Sequence, residues 1–141
     1  MATAQLVVDA DIVIDHLRRR DSVLARVLRR FRCAVTAVTV YELEAVPVLS
    51  ARQRAVLSRI LSQVEILYLD AFAAEKAATV WRALAAKGEL IGFPDILSAG
   101  ICLTNNLPLL TRNADHFRRV EGLQVITPDE LAAQFVAEQA T

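Results

Sequence analysis

An apolar run that ends on an acid constrains this chain more than any other feature. Leu6-Val7-Val8 stops at Asp9, and a polar segment that opens a helix follows. Acids stand at three further junctions of this kind, in Thr39-Val40-Tyr41-Glu42, Gly92-Phe93-Pro94-Asp95 and Thr111-Arg112-Asn113-Ala114-Asp115. In a parallel α/β fold, ligand sites form beyond the carboxyl ends of the strands, so acids remote in sequence can meet there. Bare carboxylates repel: at an effective dielectric near 20, two charges about 5 Å apart cost roughly 3 kcal/mol. Three or four together need protons or a cation among them, and a hard divalent ion bound through oxygen is the simplest resident. The pattern predicts a site dependent on Mg²⁺ or Mn²⁺.

The rest of the chain supports alternating strands and helices. Gln5 to Val8 reads as a buried strand, followed by a helix carrying Ile12, Ile14 and Leu17. A short helix starts at Asp21-Ser22, with Val23, Leu24, Val27, Leu28 and Phe31 on its apolar side. Cys33 to Thr36 is a second strand, and Thr39 to Leu49 and Arg52 to Gln63 are helical, with Pro47 between them as a bend or break. Glu65 to Leu69 is β-like. Asp70 caps a long Ala-rich helix that ends near Gly88. Pro94 to Asn105 is helical, Leu107 to Leu110 and Leu123 to Ile126 are strands, and Thr127-Pro128-Asp129-Glu130 opens the last helix. The expected architecture is a three-layer α/β/α domain with a mostly parallel central sheet, spanning 1–141 as one unit.

Composition bounds the function classes. A chain of 141 residues, 55% apolar and 6% aromatic, can bury a sizeable aliphatic core. No apolar run approaches the roughly 20 residues that span a bilayer. The start, Met-Ala-Thr-Ala-Gln, lacks the basic and apolar regions of a secretory signal, so a soluble cytosolic protein is expected. Cys33 and Cys102 lack CxxC or Cys/His spacing and read as core residues. Net charge is zero, but fourteen of sixteen basic residues are Arg, clustered at Arg18-Arg19-Arg20, Arg26, Arg29-Arg30, Arg32, Arg52, Arg54 and Arg59. The guanidinium fork suits phosphate and carboxylate alike, so these clusters fit a nucleic-acid backbone, an acidic protein or a solvated helix face.

Each acid also has a purely structural reading. Asp9 or Asp11 can cap the helix that follows. Thr39-x-x-Glu42 has the form of a capping box, in which Glu42 would turn back on the helix start; Thr127-x-x-Glu130 has the same form and is assigned no chemistry. Asp95 in a first helical turn complements the helix dipole, and Asp115 can cap a short turn before Phe117. Recurrence after successive strands is what favours a shared site.

Two family resemblances bear on the choice. Asp9-Ala10-Asp11 resembles the opening motif of haloacid-dehalogenase-type phosphotransferases, with a nucleophilic and an acid/base Asp. That family needs a lysine at the phosphate and a late pair of acids, whereas the lysines here are Lys76 and Lys87 in or at the end of the Ala-rich helix. The chain more closely resembles PIN-domain ribonucleases, specifically VapC-type toxins of toxin–antitoxin pairs, over nearly its whole length. The segments 7–18, 35–43, 91–99 and 110–120 resemble that family's four acidic motifs in order. In two places the sequence departs from the family pattern: Ala10-Asp11 replaces the usual hydroxyl residue and its neighbour, and the fourth motif offers Asn113 and Asp115 with His116 before Phe117.

The resemblance implies a metal-dependent endoribonuclease acting on structured RNA such as tRNA or rRNA. It implies that Asp9, Glu42 and Asp95 hold one or two Mg²⁺ or Mn²⁺ ions, with Asp115 or Asn113 at the rim. Thr39 and Thr111 would support the acids, Asp11 would add a carboxylate or cap its helix, and Arg112 would contact phosphate or form a surface ion pair. It further implies a homodimer and a cognate VapB-type antitoxin seated near the first helices, where an apolar face with Leu17, Leu24, Leu28 and Phe31 could receive a partner or simply pack into the core. A haloacid-dehalogenase-like phosphohydrolase and a catalytically silent PIN-like module that binds RNA or a partner are the alternatives.

Overall fold

Five short strands carry the framework: β1 (Leu6–Val8), β2 (Cys33–Thr36), β3 (Glu65–Leu67), β4 (Leu109–Leu110) and β5 (Val125–Ile126). The computed structural model describes residues 4–19 and 22–140; Arg20, in one of the basic clusters, and Asp21, the expected start of the second helix, lie outside that range. All strand pairings are parallel, in the order β3-β2-β1-β4-β5. The order reverses direction at β1, so a crevice opens between the carboxyl ends of β1 and β4.

Among the described residues eight helices connect and cover the strands: α1 (Ala10–Arg18), α2 (Val23–Arg30), α3 (Ala37–Glu44), α4 (Ala51–Gln63), α5 (Ala71–Lys87), α6 (Phe93–Asn105), α7 (Ala114–Phe117) and α8 (Pro128–Ala140). Alternate strand residues feed two separate cores. Leu6, Val8, Cys33, Val35 and Leu110 pack with α1, α2, α4 and α8, while Val7, Ala34 and Leu109 pack with α5, α6 and Phe117 of α7. This is the three-layer arrangement expected, with a sheet that is wholly rather than mostly parallel. Leu17 and Leu24 belong to the first core, and Phe31 stacks on Phe135 of α8, so that apolar face is internal packing. Cys33 and Cys102 are buried and free. No helix of the described residues is long and apolar enough to cross a membrane.

Several elements are shorter than the apolar pattern suggests, for local reasons. Leu107 belongs to the end of α6, donating its amide to the Cys102 carbonyl across the left-handed Asn106, and Pro108 has no N–H to give the ladder. The third strand stops at Leu67 because the chain turns to the Asp70 cap, leaving Tyr68 and Leu69 exposed. The third helix ends at Glu44 rather than running to Leu49, since Val46 precedes Pro47 and is pushed from helical geometry. Where the sequence marks only a short turn before Phe117, the chain forms the four-residue helix α7.

The most closely packed helix pair positions the third acidic motif. The Ala-rich α5 presents Ala73 and Ala77, and Gly100 of α6 lies against them. A Cβ at Gly100 would stand 2.7 Å from the Ala73 carbonyl oxygen and 2.8 Å from Ala77 Cβ. Both obstacles are fixed groups, so α6 would have to move. Gly100→Ala should lower stability by about 1–3 kcal/mol, the usual range for overpacking, and a urea titration of the two proteins reads it directly. An unchanged midpoint would show that α6 has slack here.

Candidate active site

Asp9 follows β1 directly and is 7% exposed. Its Oδ1 accepts from its neighbour's amide, Ala10 N, at 2.9 Å, and its Oδ2 accepts from Thr111 Oγ1 at 2.7 Å. The capping and site readings of Asp9 therefore coexist, one oxygen at the start of α1 and the other turned across the crevice. Thr111 stands one residue beyond β4, fully buried, with its amide donated to the Ile126 carbonyl. Asp11, in the first turn of α1, accepts from Arg112 N at 3.1 Å through Oδ2, with Thr111 Oγ1 at 3.3 Å. Its Oδ1 is buried and has no hydrogen-bond partner.

Glu42 and Asp95 reach the same region from α3 and α6. The capping-box reading of Glu42 fails, because α3 starts earlier than Thr39. The second strand runs straight into the helix, Thr36 becomes its N-cap, and the Thr36 hydroxyl accepts from Thr39 N at 3.0 Å. Glu42 is thus a helix-interior residue free for other work, whereas Thr127 does cap its helix, its hydroxyl accepting from Glu130 N and donating to Glu130 Oε1, both at 3.1 Å. The buried Thr36 hydroxyl also lies 3.0 Å from Ser98 Oγ, one turn beyond Asp95, and 3.3 Å from Thr39 Oγ1. Sequence reasoning missed Thr36 and Ser98; a Thr directly at a strand end is a strong N-cap signal that marks the first. Thr39, a candidate supporting residue, is buried within this hydroxyl cluster.

The electrostatics bind the four acids into one group. Burial pushes the Asp9 carboxyl above its ordinary value, against the hydrogen bonds from Thr111 and Ala10, and the charge of Asp95 raises it further. Burial and then Asp9 push Asp11 up to about 6. Burial, followed by Asp9, Asp95 and Asp11, pushes Glu42 up to about 7. Asp95 is raised by burial, with His116 opposing and Asp11 adding to it. The charges acting on these four acids come from one another, from Arg112 and from His116.

The fourth motif is divided. Asp115 is exposed on α7, while Asn113 donates its amide to Thr111 Oγ1 at 3.0 Å and its side-chain nitrogen lies 2.9 Å from His116 Nδ1. His116, given no role by the sequence, is the residue of this motif whose charge reaches Asp95. Arg112 forms the ion pair alternative, with Nη2 2.8 Å from Asp15 Oδ2.

This donor set fits a hard divalent cation. Its oxygens are carboxylates, each disfavours bare charge, and Asp11 Oδ1 is a buried acceptor lacking a donor. Among the described residues no three His, Cys, Asp or Glu side chains are gathered closely enough to enclose an ion unaided. One or two carboxylates with the remaining positions filled by water is the usual mode for Mg²⁺.

The raised values fix the sign of a pH effect. Each acid holds more proton in the folded than in the unfolded chain between its ordinary and folded values, so its contribution to stability is complete below the ordinary 3.8 or 4.5 and is lost as pH rises through about 6 for Asp11 and about 7 for Glu42. Urea midpoints of the metal-free protein should therefore fall between about pH 4 and about pH 7 and level off above, with Glu42→Gln flattening the upper part. Mn²⁺ affinity should rise over the same range, with proton release visible as buffer-dependent heat in calorimetry. Affinity independent of pH would contradict the assignment.

Comparison with known proteins places this geometry. The PIN domain pattern matches residues 6–123. Ribonuclease VapC1 of Methanocaldococcus jannaschii is 27% identical over 124 residues, 86% of this chain and 87% of that protein. The fold is shared with DNA-bound VapBC from Salmonella typhimurium, at a TM-score of 0.79 and 23% identity over 89% of this chain and 98% of that one. VapBC2 from Rickettsia felis, bound to a DNA fragment from its promoter, gives a TM-score of 0.75 at 20% identity over 86% and 97% of the two chains. A match that runs from β1 to the loop before β5, and takes in Asp9, Asp11, Glu42 and Asp95, settles the family: this chain belongs to the PIN-domain proteins.

Proposed function

We propose that this protein is a Mg²⁺- or Mn²⁺-dependent endoribonuclease, the toxin of a toxin–antitoxin pair, that hydrolyses phosphodiester bonds of structured RNA such as tRNA or rRNA. The observation that carries the reading is the mutual electrostatic coupling of Asp9, Asp11, Glu42 and Asp95 at the crevice between β1 and β4, with an acceptor oxygen of Asp11 left unpartnered. Similarity to a protein named a ribonuclease supports the reaction, and similarity to VapBC complexes supports a VapB-type antitoxin partner. The family resemblance supports a homodimer.

In this reading Asp9 and Asp95 are the ligands of the ion, with Glu42 and Asp11 beside them. Bound there, a divalent cation supplies charge neutralisation at the phosphate and activation of water for in-line attack. The protein supplies the rest. Asp9 is oriented by the Ala10 amide and the Thr111 hydroxyl, so its free lone pairs cost little reorganisation. Glu42 stands beside the ion as a carboxylate able to accept a proton as the reaction proceeds. His116, whose Nδ1 lies against the Asn113 side-chain nitrogen, is held at the Asp95 side with its other ring nitrogen left for a phosphate oxygen. Asp115 and Asn113 occupy the rim, Thr39 holds α3 against β2, and Arg112, half exposed and paired with Asp15 through Nη2, keeps its remaining guanidinium N–H groups for a phosphate.

A phosphohydrolase of the haloacid-dehalogenase kind lacks its lysine here: Lys76 and Lys87 line a different cleft, with Leu103, Arg119 and Glu121. The wild-type protein with Mn²⁺ should cut RNA and leave p-nitrophenyl phosphate intact. Asp95→Asn and Asp9→Asn should each lower the RNA cleavage rate by about 100-fold or more while the circular dichroism melt stays cooperative. Cleavage of p-nitrophenyl phosphate instead of RNA would favour the phosphohydrolase, and metal binding without any cleavage would favour the silent module.

A further inference from the structure

Outside the acidic crevice, a cleft of about 680 Å³ lies between the end of α1 and the start of α4, walled by Arg18, Arg19 and Arg52 with His16. None of the described residues lining it is acidic. Its walls are fixed: Gln53 Nε2 donates to the Leu17 carbonyl at 3.1 Å, tying the two helices together, and Ser50 and Gln53 close a capping box at the start of α4. Arg18 and Arg52 are exposed at this mouth. The other arginine cleft differs. There Arg26 and Arg30 stack over the Phe135 ring and Arg30 pairs with Glu138, so its guanidiniums serve to attach α8.

The cleft is joined to the acidic crevice by a chain of charges. Arg112, whose amide binds Asp11, pairs through Nη2 with Asp15 Oδ2 at 2.8 Å, and Asp15 Oδ1 meets Arg19 Nε at 3.5 Å. Asp11, Asp15 and Arg19 are spaced four apart and so share one face of α1. Seven residues separate Asp11 from Arg18, about 10 Å along a helix axis, or about three nucleotides at the 3.4 Å rise of a duplex strand. A polyanion held at the acids must be drawn there against their negative charge, and a cation-lined cleft a few nucleotides away supplies that attraction.

We propose that the cleft of Arg18, Arg19 and Arg52 is a second phosphate site, which holds RNA backbone flanking the cut while Arg112 guides the strand to the acids. The inference rests on the ribonuclease reading, and it makes these arginines positioning residues. They act on substrate affinity and leave the chemical step alone.

The test uses the full chain carrying Asp9→Asn, which separates binding from cleavage, and a fluorescently labelled structured RNA read by anisotropy across a salt series. Arg18→Ala with Arg52→Ala should weaken binding about 10-fold and lower the slope of log affinity against log salt by about 1.5, as expected for two lost phosphate contacts. Arg82→Ala on α5 should change neither quantity. With Asp9 restored, the double variant should raise KM and leave kcat within about twofold, and Arg18→Lys with Arg52→Lys should recover most of the affinity. Equal affinity and salt slope in the double variant would overturn the proposal and leave the cleft to some other anion, such as an acidic protein segment. Weakened binding by a protein whose wild type never cuts RNA would uphold the site and instead sink the ribonuclease reading.

Discussion

The buried hydrogen bond from Thr111 to Asp9 is the contact on which the rest of the site depends. It spans 102 positions of sequence at 2.7 Å and joins the ends of β1 and β4 where the strand order reverses. One hydroxyl has one proton to give, and the shorter contact is to Asp9; the 3.3 Å approach to Asp11 is secondary. The Thr111 oxygen still accepts from Asn113 N, so the first and fourth motifs are fixed to each other by a single side chain. A hydrogen bond to a charged group contributes about 1.5–3 kcal/mol, and removing the donor would leave a buried carboxylate short of partners.

A second hydroxyl plays the matching part on the other side. Thr36 caps α3, which carries Glu42, and touches Ser98 of α6, which carries Asp95. Its hydrogen-bonding capacity is fully used: it accepts from Thr39 N and from Ser98, and gives its proton to Thr39 Oγ1. Two threonines at the ends of two strands thus convert a parallel sheet into a scaffold for four acids that repel each other. The fold tolerates the repulsion because the carboxyls gather at the crevice, where protons or a cation can be taken up.

The layers were legible because strand and helix periods differ and the apolar runs are short. Asp9 was legible because it interrupts such a run. The start of α3 was not: the second strand passes into helix without a loop, so Thr39 and Glu42 formed a capping pattern that the chain does not use, while the identical spacing at Thr127 and Glu130 is used. Only the position of the strand end distinguishes the two. Thr36 with Ser98 and Thr111 with Asp9 are pairings between distant segments, and a single sequence carries no record of which hydroxyl meets which acid. His116 escaped notice for a related reason, since its importance lies in facing Asp95 across the fold rather than in its neighbours. The clustered arginines were visible as a count, but sorting them into an aromatic-stacked set against α8 and an open set beside α4 required the packing.

The account stands or falls on carboxylates from separate segments of the chain sharing one divalent ion. A crystal grown with Mn²⁺ and measured at its absorption edge tests this most directly. An anomalous peak between Asp9 and Asp95, lost in the Asp9→Asn protein, is the predicted result. A saturated crystal whose only peaks lie away from these residues would contradict it.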